Sequence, residues 1–135
     1  MKTRCVRTLL FSLAASVGLV ACERAPPPLS PVAIAIRDAP AELVFKGKLS
    51  GESTFLLVHD CEVFRVQQEA GAEVTWTSVL VPEFYPFFTA CVRQSLTFDG
   101  VAVTAKLGRQ AFGAGGCCAT GGTYRSVDGL NWKEL

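Results

Sequence analysis

The 135 residues carry 13 Lys+Arg against 12 Asp+Glu, and half are hydrophobic. That length suits one small domain and excludes a propeller, a (β/α)8 barrel or a two-domain enzyme. The near-neutral balance argues against binding nucleic acid through a basic surface, and the ordinary globular composition argues against disorder of the whole chain.

Residues 1–21 have the layout of an export signal. Lys2, Arg4 and Arg7 precede an apolar run of 13 residues, from Leu9 to Ala21, interrupted by Ser12, Ser16 and Gly18. A helix needs about 20 apolar residues to span a bilayer. The shorter run fits the apolar region of a signal peptide.

The run ends in Leu19-Val20-Ala21-Cys22, which resembles the bacterial lipobox. The resemblance implies cleavage before Cys22, a diacylglycerol thioether on its sulfur and acylation of the new amino group. Each buried CH₂ contributes about 0.8 kcal/mol, so several chains make a lasting anchor. Glu23 rather than Asp follows, which in that family leans toward the outer membrane. The mature chain would be residues 22–135, with 10 Lys+Arg, 12 Asp+Glu and a net charge of −2.

Residues 22–31 are expected to form a lipidated tether. Four prolines between positions 23 and 31 disfavour both helix and central strand. One β-rich domain, residues 32–135, should follow. Its apolar period is two. Val32 to Arg37 is a strand candidate. Leu43, Phe45 and Leu49 alternate with Val44, Lys46 and Lys48. Thr54 to His59 reads as a buried strand, followed by Val63 to Gln67, a turn at 69–72, and Val74 to Val81. Glu83 to Ala90 could hold one turn of helix.

Two Asp-Gly pairs read as tight hairpins. Asp99-Gly100 would pair Phe98 with Val101, Leu96 with Val103 and Val92 with Leu107. Asp128-Gly129 would pair Val127 with Leu130 and Arg125 with Trp132, laying the guanidinium over the indole. Ser126-x-Asp128-Gly129-x-x-Trp132 is similar to the Asp-box hairpin of sialidase-type propellers. That motif braces a turn, and no activity is carried over from it.

Four cysteines remain after the signal and the anchor: Cys61, Cys91, Cys117 and Cys118. An even number in an oxidising compartment implies disulfides. Three connectivities are open. The favoured ones tie Cys61 and Cys91 separately to the adjacent pair in the loop 113–122, because each closes a long loop. A vicinal Cys117–Cys118 bridge with Cys61–Cys91 is the third, and a redox-active Cys117–Cys118 pair is its functional form. Neither a Cys-x-x-Cys motif nor a zinc-knuckle spacing is present. Copper handling would call for Met and His, but His59 is the only His and the signal holds the only Met. His59-Asp60-Cys61 offers no catalytic pair, since adjacent strand residues face opposite ways. No carboxylate spacing selects an acid–base pair, and the loop 113–122 lacks a Lys-Ser/Thr ending for phosphate.

Pro82 to Phe88 places Phe84, Tyr85, Phe87 and Phe88 in five residues. They would form either a lid over the core or an exposed contact patch.

The expected fold is a small antiparallel sandwich or barrel of about seven short strands, stapled by disulfides. The expected protein is a lipid-anchored component of the bacterial envelope, in the outer membrane facing the periplasm. It would act by binding and not as an enzyme, with no metal, cofactor or nucleic acid. Inhibitors and immunity modules against envelope enzymes share this format, with Phe84, Tyr85, Phe87 and Phe88 and the loop 113–122 as the candidate partner contacts. A structural envelope component and a redox protein using Cys117-Cys118 are the alternatives.

Overall fold

A computed structural model describes residues 27–68, 73–85, 88–112 and 119–135. The lipobox with Cys22, the turn 69–72, Phe87, and residues 113–118 with Cys117 and Cys118 lie outside them.

Eight strands form two antiparallel sheets of four. The first sheet contains β1 (Val44–Leu49), β2 (Glu52–His59), β3 (Glu62–Gln68) and β4 (Val74–Leu80), paired in chain order. The second contains β5 (Thr89–Phe98), β6 (Val103–Ala111), β7 (Ala119–Ser126) and β8 (Lys133–Glu134), also in chain order. This is a sandwich and not a closed barrel. Phe45, Leu49, Leu56, Val58 and Val63 of the first sheet form one core with Leu96, Val103, Ala105 and Leu107 of the second. Leu56, Val63, Val103 and Leu107 have no exposed surface. Each buried aliphatic side chain of this size contributes roughly 1.5–3 kcal/mol.

Residues 31–37 form a helix and not the expected strand. α1 (Pro31–Arg37) starts at Ser30, whose Oγ accepts from the Ala33 N–H at 3.1 Å. Pro31 occupies the first turn, where its missing N–H costs nothing. Ser-Pro is therefore a start signal here, despite the alternating Val-Ala-Ile-Ala-Ile that follows. α1 packs against β4 with Ala33 buried. Leu57 and Val66 are also buried, on the sheet face opposite the core. A single 3-10 turn, Ala41–Leu43, leads into β1. No helix turn forms at 83–85, and Thr89 and Ala90 already belong to β5.

The tight turns are not at the Asp-Gly pairs. They are at Ser50-Gly51 and Asp60-Cys61, flanked by the Leu49–Glu52 and His59–Glu62 pairs. All four residues have positive φ, 50° and 84° in the first turn and 47° and 60° in the second. That is the pattern of a type I′ hairpin, whose twist matches the strands.

At Asp99-Gly100 the loop has four residues, closed by the Phe98–Val103 pair. The Asp99 carboxylate accepts from the N–H groups of Val101 and Ala102 at 3.0 and 2.8 Å. The register therefore moves by two, pairing Leu96 with Ala105 and Gln94 with Leu107. An even shift preserves which face each residue presents, so the expected buried row of Val103, Ala105 and Leu107 stands. Val92 falls at a bulge between the Cys91–Arg109 and Arg93–Gly108 pairs and is 58% exposed.

Candidate functional site

The end of the sandwich where β2 turns into β3 and the chain enters β5 is cross-linked. Cys61 is bonded to Cys91, with Cα atoms 5.5 Å apart. This corrects the favoured expectation that Cys61 and Cys91 would each join the glycine-rich loop. Those linkages would need a contact that only inter-sheet packing decides, and that packing instead brings the β2–β3 turn onto the first strand of the second sheet. Cys61 is fully buried, and its N–H donates to Gln94 Oε1 at 3.1 Å. In a loop-closure account, a bond across 30 residues stabilises by about 3–4 kcal/mol.

Arg109 fastens the same end. It lies opposite Cys91 on β6, in the row that buries Val103, Ala105 and Leu107. Its guanidinium donates to the Asp60 backbone carbonyl and meets the Asp60 carboxylate, each at 2.7 Å. It also reaches toward Thr89 at 3.5 Å and lies 4.9 Å from the Phe84 ring centroid. One cation therefore holds the β2–β3 turn, the start of β5 and the loop before β5. Its Nε is buried without a partner. The sequence reading did not single out Arg109; its position at the end of an alternating apolar row was the available signal.

The aromatic loop divides between the two roles considered for it. Phe84 packs against the core beneath Arg109. Tyr85 is 43% exposed, and its backbone N–H faces Thr120 Oγ1 at 3.4 Å. Phe88 is 87% exposed. Phe112, absent from the expected contacts, is 67% exposed, and its N–H donates to the Phe88 carbonyl at 2.9 Å. Phe88 and Phe112 thus extend the β5–β6 ladder by one pair beyond Thr89–Ala111. Two exposed phenylalanines thus occupy opposed positions of the ladder on a covalently braced scaffold.

The opposite end carries the Asp128 loop. The expected Arg125–Trp132 pairing is replaced by Arg125–Lys133, with residues 127–132 looping out. Arg125 meets Asp99 at 2.5 Å instead of capping the indole. Asp128 Oδ1 accepts from the N–H groups of Leu130 and Asn131, both at 2.8 Å, and from the Ser126 hydroxyl at 2.9 Å. Its Oδ2 accepts from the Asn131 amide at 2.7 Å. The Asn131 side chain and these backbone donors hold the Asp128 carboxyl well below the usual range. Gly129, at φ 74°, sits against Leu49, Thr54 and Leu56 of the first sheet. Both carboxylate oxygens of Asp128 are thus engaged within its own loop, which braces the turn.

His59 is exposed at the end of β2, 5.5 Å from the Trp76 ring, which stacks on Phe64 at 4.5 Å. Among the described residues no three His, Cys, Asp or Glu side chains converge as a metal site. No family model, curated protein or solved structure matches this chain.

Proposed function

We propose that this is a lipid-anchored envelope protein that binds another envelope protein through the disulfide-held end of its sandwich. The observation that carries this reading is the exposed Phe88–Phe112 pair. Exposed aromatic neighbours on a rigid support are the usual anchors of a protein interface. Tyr85 lies in the same loop system, and the Cys61–Cys91 bond with Arg109 keeps that support pre-organised. The anchor rests on Leu19-Val20-Ala21-Cys22. An inhibitor or immunity module against an envelope enzyme is the form of binding protein that this format favours.

The test is capture by cross-linking in intact cells followed by purification from the membrane fraction. Wild-type chain should recover a stoichiometric envelope partner. Phe88→Asp combined with Phe112→Ser should lose it with unchanged thermal unfolding. Retained capture by the double variant would overturn the reading. Cys22→Ala should abolish lipid labelling, and persistent labelling would remove the anchor.

A redox role has one observation in its favour. With Cys61 bonded to Cys91, Cys117 and Cys118 are the two remaining cysteines after Cys22. Mass spectrometry with thiols blocked before and after mild reduction decides it. A pair at 117–118 that opens while Cys61–Cys91 survives supports the redox reading, and two locked bonds dismiss it.

A further inference from the structure

The outer face of the second sheet has a character of its own. Val103, Ala105 and Leu107 point into the core, so Thr104, Lys106 and Gly108 point outward. The pairing register then sets their outward neighbours. Arg93 is opposite Gly108. Lys106 lies between Ser95 and Thr123. Thr104 lies between Thr97 and Arg125, and Arg125 is opposite Lys133.

Four cations therefore form a stripe across all four strands: Arg93 on β5, Lys106 on β6, Arg125 on β7 and Lys133 on β8. Each of the first two steps crosses one strand and one row, a diagonal of roughly 7–8 Å, and the last is a direct cross-strand step of about 5 Å. Gly108 lets Arg93 lie flat. A Cβ built there would meet the Arg93 guanidinium nitrogens at 3.2 and 3.3 Å, so the side chain rests across β6.

No outward position of these strands carries Asp or Glu among the described residues. Asp99, in the β5–β6 loop, reaches the stripe and pairs with Arg125. Asp128 is occupied within its own loop, and Glu134 alternates with Lys133 toward the other face. The asymmetry is visible along the chain. The described residues up to 85 hold seven acids and four cations, and those from 88 onward hold three acids and five cations.

The geometry points to this face as a docking surface for an acidic polysaccharide, a sugar chain bearing carboxylates. Charge complementarity and the hydroxyls select that occupant. Ser95, Thr97, Thr104 and Thr123 fill the rows between the cations; the Thr97 hydroxyl, which donates to the Thr104 carbonyl, can accept from a sugar, and hydroxyls of the other three can donate or accept. Large exposed apolar side chains border the cation rows and none lies among them: Val92 and Leu135 at the two edges, Val127 beside Arg125 and Lys133, and the Phe88–Phe112 pair further along β5 and β6 on the same face. The rows that carry the charge therefore hold no group to insert into a bilayer. No aromatic ring lies on these rows to stack bases. Phe88 and Phe112 share this outer face by alternation but stand two rows from Arg93, so occupation of the cation rows does not depend on the partner proposed there.

The experiment is retention of the full-length protein on immobilised polygalacturonate, beside uncharged dextran and vesicles of phosphatidylcholine with phosphatidylglycerol. Wild type should bind polygalacturonate and not dextran, with affinity falling as salt rises. Lys106→Ala should weaken binding about fivefold, and Lys106→Glu or Lys133→Glu by more. Lys48→Glu, exposed on the first sheet, should change nothing. No retention, equal retention on dextran, equal loss with Lys48→Glu, or a Lys106→Glu effect confined to the vesicles would each overturn the proposal.

Discussion

The two ends of this sandwich meet the same requirement by different means. At one, a disulfide and a single arginine tie the sheets together, and the surrounding loop leaves two phenylalanines in water. At the other, one aspartate organises a six-residue loop by local hydrogen bonds, and Gly129 settles onto the opposite sheet. The first end gains its rigidity from long-range links, which leaves its rim residues free to serve contact. The second gains it from residues within a few positions of one another, and its polar groups are consumed in doing so.

Breaking the long-range end should have the largest effect. Cys91→Ala removes about 3–4 kcal/mol in the loop-closure account, read as a lower denaturant midpoint that reductant no longer shifts further. Asp128→Ala should cost less, about 1–3 kcal/mol, because it strands backbone donors that water can partly reach. Denaturant unfolding of the two variants ranks the ends, and a larger loss for Asp128→Ala would reverse the comparison.

Acid should weaken the Asp128 end selectively. Asp99 is lowered from 3.8 to about 2, mainly by the Ala102 and Val101 N–H groups and then by Arg125. A carboxylate whose folded pKa is depressed contributes stability that is complete above its unfolded pKa and lost as pH falls through the folded one. The loss should therefore run from about pH 4 to about pH 2. Asp128 is shifted in the same direction. Asp99→Asn should flatten that part of the stability–pH curve, measured by denaturant midpoints at pH 5, 3 and 2. The smallest effect on stability belongs to Phe88→Asp. At 87% exposure the ring contributes little to folding, and its thermal midpoint should match wild type.

The strands were legible because apolar residues either alternate, as along Val103 to Leu107, or run together between breakers. The near-continuous run Thr54 to His59 and the segment Val63 to Gln67 match β2 and β3 to within two residues at each end, and the run is buried on both faces because α1 covers the outer one. The turns were less so. Asp-Gly favours a two-residue hairpin, but the Asp99 carboxylate captures two N–H groups and opens the loop to four residues. The tight turns fell where Ser50 and Asp60-Cys61 accept positive φ because the strands on either side fix the register. At Ser30-Pro31 a capping side chain outweighed an alternating pattern. The contact site was half legible. Clustered aromatics marked the loop, yet Phe84 turned inward beneath a cation that only the fold brings near. Phe112 joined Phe88 through a pairing register that no local pattern encodes.

The order of the strands governs the order of assembly. Among the described residues neither sheet borrows a strand from the other, and every pairing joins strands that are neighbours in the chain. As the polypeptide emerges from its N-terminus, the first sheet can close before β5 appears, because domains assemble from what has already emerged. Cys61 then waits in a finished hairpin, and Cys91 is the next cysteine to reach it. An oxidase that joins cysteines in order of their arrival would make the native bond at the first attempt, with no isomerase needed for it.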